Sequence, residues 1–122
     1  MILYCCSDLM WATKVKSTAD SLGIACRPAR NAEMLAARLA DSPVKALIVD
    51  LESGPVALEL IQQMRSGDGA EARKNVRIIA FAPHVNVDGL QAAKQAGADS
   101  VMARGSFAAA LPDLLQELAQ LG

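Results

Sequence analysis

The chain has 122 residues, of which 52% are hydrophobic, 20% are charged and only 3% are aromatic, and its formal net charge is −1. This length suits one domain, and we expect residues 1–122 to form a single domain with an aliphatic core. The nearly balanced charge provides no basic surface, so we expect neither nucleic acid nor a membrane as a partner.

The N-terminal residues and the cysteines indicate a cytoplasmic location. No apolar stretch approaches the roughly 20 residues that span a bilayer. The first residues lack a basic segment, and Asp8 interrupts them too early for a signal peptide. Three cysteines do not form a disulfide framework, so we expect reduced, core-filling thiols, with a redox or metal role for Cys6 as the minor alternative.

Short apolar runs alternate with helix-length amphipathic segments, which is typical of βαβ units. Asp8 and Asn31 are the expected N-caps of the first two helices, and Gly67-Asp68-Gly69 is expected to be a flexible connection. The predicted strands are 2–6, 24–28, 46–50, 76–81 and 99–103, and the predicted helices are 9–22, 32–40, 56–65, 87–96 and 107–121.

The order of the strands follows from their hydrophobicity. The first, third and fourth strands are the most apolar, so they should be central, which favours the order 2-1-3-4-5. We therefore expect an α/β, doubly wound (βα)5 flavodoxin-like fold with a five-stranded parallel sheet. Ligands of such sheets gather outside the carboxyl ends of the strands.

Asp50 ends the most apolar run, Ala46-Leu47-Ile48-Val49, and is the leading candidate for a functional side chain. The alternative is a carboxylate that bonds loop amides or pairs with Arg104. Asp8, at the end of a neighbouring strand, and Glu52, in the loop after Asp50, are candidate metal ligands. The alternative for Asp8 is a helix N-cap, and the alternative for Glu52 is an ordinary solvent-facing residue.

Three passages make the chain resemble the response-regulator receiver domains, the CheY-like family. They are the strand that ends at Asp50, the helix end at Leu22-Gly23, and residues 93–99, which lead into the last strand. The resemblance implies the receiver fold and a phosphoacceptor at Asp50. The family's magnesium-binding acidic pair falls on Cys6 and Ser7.

Other family positions are also altered. The resemblance places the family's hydroxyl residue at Phe81, its lysine at Arg104 and its proline at Gly105. Because magnesium prefers hard oxygen ligands, we expect no cofactor beyond weak Mg²⁺ binding. The chain thus looks like a degenerate receiver, or pseudo-receiver: a non-catalytic signalling module that acts by protein–protein interaction.

Two alternatives stay open: a genuine receiver phosphorylated on Asp50, and a flavodoxin-like domain that binds a small molecule. The resemblance implies a protein partner or a homodimer through the fourth helix, fifth strand and fifth helix. Candidate interface residues are Trp11, His84, Ala92 and Ala103; Trp11 could instead face the core or cover the strand tips.

Overall fold

Five parallel strands form one sheet in the order β2-β1-β3-β4-β5, so the predicted fold and strand order are confirmed. The computed structural model describes residues 1–66 and 69–121; of the predicted connection Gly67-Asp68-Gly69, the first two residues lie outside that part. The strands are β1 (Ile2–Cys5), β2 (Cys26–Pro28), β3 (Ala46–Asp50), β4 (Arg77–Ala82) and β5 (Ser100–Ala103).

Each strand leads into a helix, as the alternating pattern predicts. The side chains of Asp8 and Asn31 cap α1 and α2 by accepting bonds from the backbone N–H of Met10 and Met34. None of these helices is long and apolar enough to span a bilayer within the described residues. They are α1 (Leu9–Ser21), α2 (Ala32–Asp41), α3 (Val56–Ser66), α4 (Val87–Ala96) and α5 (Arg104–Ala119).

Helix α5 begins three residues earlier than the sequence predicts. Gly105 and Ser106 looked like a loop, but they occupy the first turn of the helix directly after β5. The backbone N–H groups of a first turn have no partners within the helix, so weak helix formers cost little there. Burial of Phe107 against the sheet then fixes the start of the helix.

The sheet separates two hydrophobic layers. Leu47 and Val49 of β3 face the layer formed with α2, α3 and α4, whereas Ala46 and Ile48 face α1 and α5. Side chains alternate along a strand, so Asp50 continues the row of Ala46 and Ile48 toward α1 and α5.

Arg65 connects the amino ends of β4 and β5, at the opposite end of the sheet from Asp50. Its guanidinium donates to the carbonyls of Gly97 at 3.0 Å and Val76 at 2.8 Å, and to Asp99 Oδ2 at 2.7 Å. The same Asp99 oxygen accepts from the backbone N–H of Ile78 at 2.7 Å. These bonds hold the amino ends of β4 and β5 together and so help to fix the register of the two strands.

Candidate functional site

Asp50 lies at the carboxyl end of β3 and is completely buried, with 0% of its side chain exposed. It is paired in register with Phe81 of β4, which is in turn paired with Met102 of β5. Its Oδ1 accepts a 3.0 Å bond from the backbone N–H of Glu52 and so caps the short turn Leu51–Ser53. One carboxylate oxygen is therefore satisfied by its own loop.

The second oxygen of Asp50 faces Arg104. Arg104 Nη2 lies 3.6 Å from Asp50 Oδ2, a separation that allows an ion pair but exceeds a good hydrogen bond. The predicted fifth strand ends at residue 103 and the predicted last helix begins at 107, which left Arg104 between them; in the structure Arg104 is the first residue of α5. From the first turn of α5, the Arg104 guanidinium reaches the carboxyl end of β3, where Asp50 lies.

Trp11 covers the arginine. The Arg104 guanidinium carbon lies 5.5 Å from the centre of the Trp11 ring, within the range of a cation–π contact. Within the described residues, Asp50 Oδ2, Arg104 Nε and Trp11 Nε1 are buried without a hydrogen-bond partner. Trp11 is only 8% exposed and packs in the hydrophobic layer with Phe81 and Phe107, which favours the core-facing alternative for its role.

An aromatic cluster closes the same face of the sheet. The rings of Phe81 and Phe107 are stacked with their centroids 4.0 Å apart, and Trp11 lies 5.2 Å from Phe81. Strand β4 ends one residue later than predicted, at Ala82. Phe81 packs in the layer with α1 and α5 and, as the register partner of Asp50, fills space beside it.

Burial controls the ionisation of the site. It raises the pKa of Asp50, while the N–H of Glu52 and the charge of Arg104 act in the opposite direction. Burial also raises the pKa of Cys5 to about 11 and that of Cys6 further. Both thiols are therefore neutral at physiological pH, which disfavours a nucleophilic or redox role.

The candidate metal ligands Asp8 and Glu52 are each engaged in a hydrogen bond elsewhere. Asp8 is exposed, and its Oδ1 accepts the 2.8 Å capping bond from Met10. Glu52 is exposed as well, and its Oε2 accepts from Asn86 Nδ2 at 3.3 Å. Across residues 1–66 and 69–121, no three His, Cys, Asp or Glu side chains are grouped so that they could hold a metal. This donor set does not suit an octahedral oxygen-coordinated ion.

The other candidate interface residues are at least partly exposed. His84 is exposed in the turn before α4, and Ala92 and Ala103 are partly exposed on α4 and β5. Sequence reasoning missed Phe107, although the chain has only two phenylalanines. It also missed Ser53, whose Oγ accepts a 3.0 Å bond from the N–H of Ser7 and joins the loops after β1 and β3.

Comparisons with solved structures place this architecture among response-regulator receivers. The receiver domain of NtrX from Brucella abortus is 17% identical, with a TM-score of 0.77 and coverage of 100% of both chains. The chemotaxis response regulator CheY4 of Vibrio cholerae is 16% identical, with a TM-score of 0.76 and 96% coverage of both chains.

A response regulator from Thermotoga maritima is 17% identical, with a TM-score of 0.74 over 98% of this chain and 97% of that one. No family model matches the sequence, and no curated protein does. The chain therefore has the fold of response-regulator receiver domains, which confirms the sequence resemblance at the level of fold.

Proposed function

We propose that this chain is a signalling module of the receiver type that acts through protein contacts without phosphorylation of Asp50. The observation that carries the proposal is the closed environment of that carboxylate. Asp50 is fully buried, faces Arg104, and lies beside the ring of Phe81. In this arrangement the carboxylate is part of a structural pair.

Phosphoryl transfer depends on positioning and on neutralising the charge of the phosphoryl oxygens. Around Asp50 the guanidinium of Arg104 is the one nearby cation in the described chain. Asp8 and Glu52 are each engaged in other bonds. A donor that approached Asp50 Oδ2 would also have to displace the layer formed by Arg104 and Trp11.

The second candidate function is a genuine phosphoacceptor. It is favoured by the position of Asp50 at a central strand end and by a cation 3.6 Å away, since a guanidinium suits a phosphoryl group. In this alternative Arg104 would turn toward the phosphoryl group, and Asp8 or Glu52 would hold a weakly bound magnesium ion.

The proposed contact surface is the face formed by α4, β5 and α5. All four residues of the edge strand β5, namely Ser100, Val101, Met102 and Ala103, are partly exposed and uncharged. Val87, the first residue of α4, is 62% exposed. An uncharged, partly exposed edge strand suits a protein partner or a second copy of the chain.

Sedimentation equilibrium tests the homodimer form of this proposal. The wild type should associate, Ala92→Glu on α4 should be monomeric, and Ala36→Glu on the exposed side of α2 should behave as wild type. Association should also be unchanged in Asp50→Asn. A wild type that remains monomeric at all concentrations would exclude the homodimer, and association lost in Asp50→Asn would favour the phosphoacceptor.

A further inference from the structure

A cavity opens at the carboxyl end of the sheet, beside the end of β1. It has a volume of about 340 Å³ and is lined by the end of β1, the start of α1 and the loops after β2 and β3. This is the crevice in which doubly wound sheets bind ligands, and its volume lies within the range of small-molecule pockets.

The lining of the cavity combines an apolar wall with a few polar groups. Leu9, Ala12 and Val56 provide aliphatic surface. Leu9 is 79% exposed, so its side chain is accessible to a ligand. Ser7 and Ser53 contribute hydroxyl groups.

Arg30 gives the cavity its charge. It lines the opening and is exposed. In the described part of the chain its guanidinium makes no hydrogen bond or ion pair, although its backbone N–H contacts Met34 Sδ at 3.4 Å. No aspartate or glutamate is among the described residues that line the cavity. One unpaired guanidinium with no opposing carboxylate balances a single negative charge.

We propose that this cavity binds a small organic monocarboxylate, whose apolar body lies against Leu9, Ala12 and Val56 and whose carboxylate pairs with Arg30. A guanidinium presents two parallel N–H donors that match a carboxylate. A doubly charged phosphate ester would leave one negative charge unbalanced. Such a ligand would contact the loops after β1 and β3, which Ser53 joins.

This inference goes beyond the proposed protein contacts, and it does not depend on them. The cavity lining includes neither Asp50 nor any residue of α4, β5 or α5. A negative result for the ligand therefore leaves the contact surface untested, and a monomeric wild type leaves the ligand untested.

Amide chemical-shift titrations of the full chain test the proposal with three six-carbon probes: hexanoate, hexan-1-ol and hexylammonium. Hexanoate should cause saturable shifts at Ser7, Leu9 and Arg30, hexanol should bind about tenfold more weakly, and hexylammonium should not bind. Equal affinity for hexanoate and hexanol, or no saturable shift with hexanoate, would overturn the proposal.

Variants identify the residues responsible. Arg30→Gln should weaken hexanoate binding about tenfold and leave hexanol binding unchanged, whereas Arg27→Gln, an exposed arginine of β2 outside the cavity, should have no effect. Ala12→Phe should fill the cavity and abolish binding of both probes while the spectrum stays that of a folded protein. Hexanoate affinity unchanged in Arg30→Gln, or reduced equally by Arg27→Gln, would refute the assigned contact.

Discussion

Removing the guanidinium of Arg104 should destabilise the fold, because Asp50 would be left buried without its counter-charge. At the observed 3.6 Å, two unit charges attract by about 4–5 kcal/mol at an effective dielectric constant of about 20. The carboxylate can instead take up a proton, which costs about 4 kcal/mol at pH 7 from a reference pKa near 3.9, and this sets an upper limit.

The expected cost lies below that limit, since 29% of the Arg104 side chain is exposed and water can enter the space that it vacates. We expect Arg104→Ala to lower the free energy of unfolding by about 2–3 kcal/mol, somewhat less than is usual for breaking a fully buried pair. For a chain of this length the melting temperature should fall by roughly 6–12 °C.

A double-mutant cycle measured by urea unfolding separates the pair from other effects. In the Arg104→Ala background, Asp50→Asn should recover about 1–2 kcal/mol, because it removes the uncompensated charge. Arg104→Lys should lose less than Arg104→Ala, and Arg27→Ala, at an exposed site, should stay within about 0.5 kcal/mol of wild type. A coupling energy below about 0.3 kcal/mol would refute an energetic contact between Asp50 and Arg104.

Four further predictions concern the buried carboxyl, the aromatic cluster, the helix end and the metal. Burial raises the pKa of Asp50, so the stability that its protonated form contributes is present at low pH and is lost as pH rises through the folded pKa; the stability of the wild type relative to Asp50→Asn should therefore be lower at pH 7 than at pH 4, and an equal difference at the two pH values would contradict it. Phe81→Thr should cost about 3–4 kcal/mol, because Phe81 is fully buried against Phe107; an unchanged melting temperature would show that the cluster does not form. Gly97→Ala should cost at least about 1 kcal/mol, because φ is +118° and the new Cβ would lie 2.6 Å from Arg65 Cγ; thermal unfolding measures this, with Gly105→Ala in open space as the milder control. Magnesium should not change Trp11 emission at sub-millimolar concentration, and a saturable response that Asp8→Ala abolishes would disprove it.

The sequence predicted the sheet well because its signals were local. Five apolar runs and regularly spaced stop residues define the elements, and Gly23 and Gly97 both adopt the positive φ of a helix end. The start of α5 was missed because Gly105 and Ser106 carry loop propensity, which tertiary packing of Phe107 overrides.

The site was only partly predictable. Strand order placed Asp50 and Arg104 at the same edge, and the structure brings their charges together. The stacking of Phe81 on Phe107 and the burial of Trp11 depend on how α1 and α5 pack against the sheet. The cavity beside Arg30 is lined by residues from the end of β1, the start of α1 and the loops after β2 and β3. Such features depend on packing between distant segments, which no local pattern encodes.

Intact mass after incubation with acetyl phosphate and magnesium tests most directly whether this module works without phosphorylation of Asp50. A phosphorylatable receiver domain treated in parallel serves as the positive control, and Asp50→Asn as the negative one. The account predicts that the wild type keeps its unmodified mass while the positive control gains one phosphoryl group. A stable gain of one phosphoryl group in the wild type, absent from Asp50→Asn, would contradict the account and establish Asp50 as a phosphoacceptor.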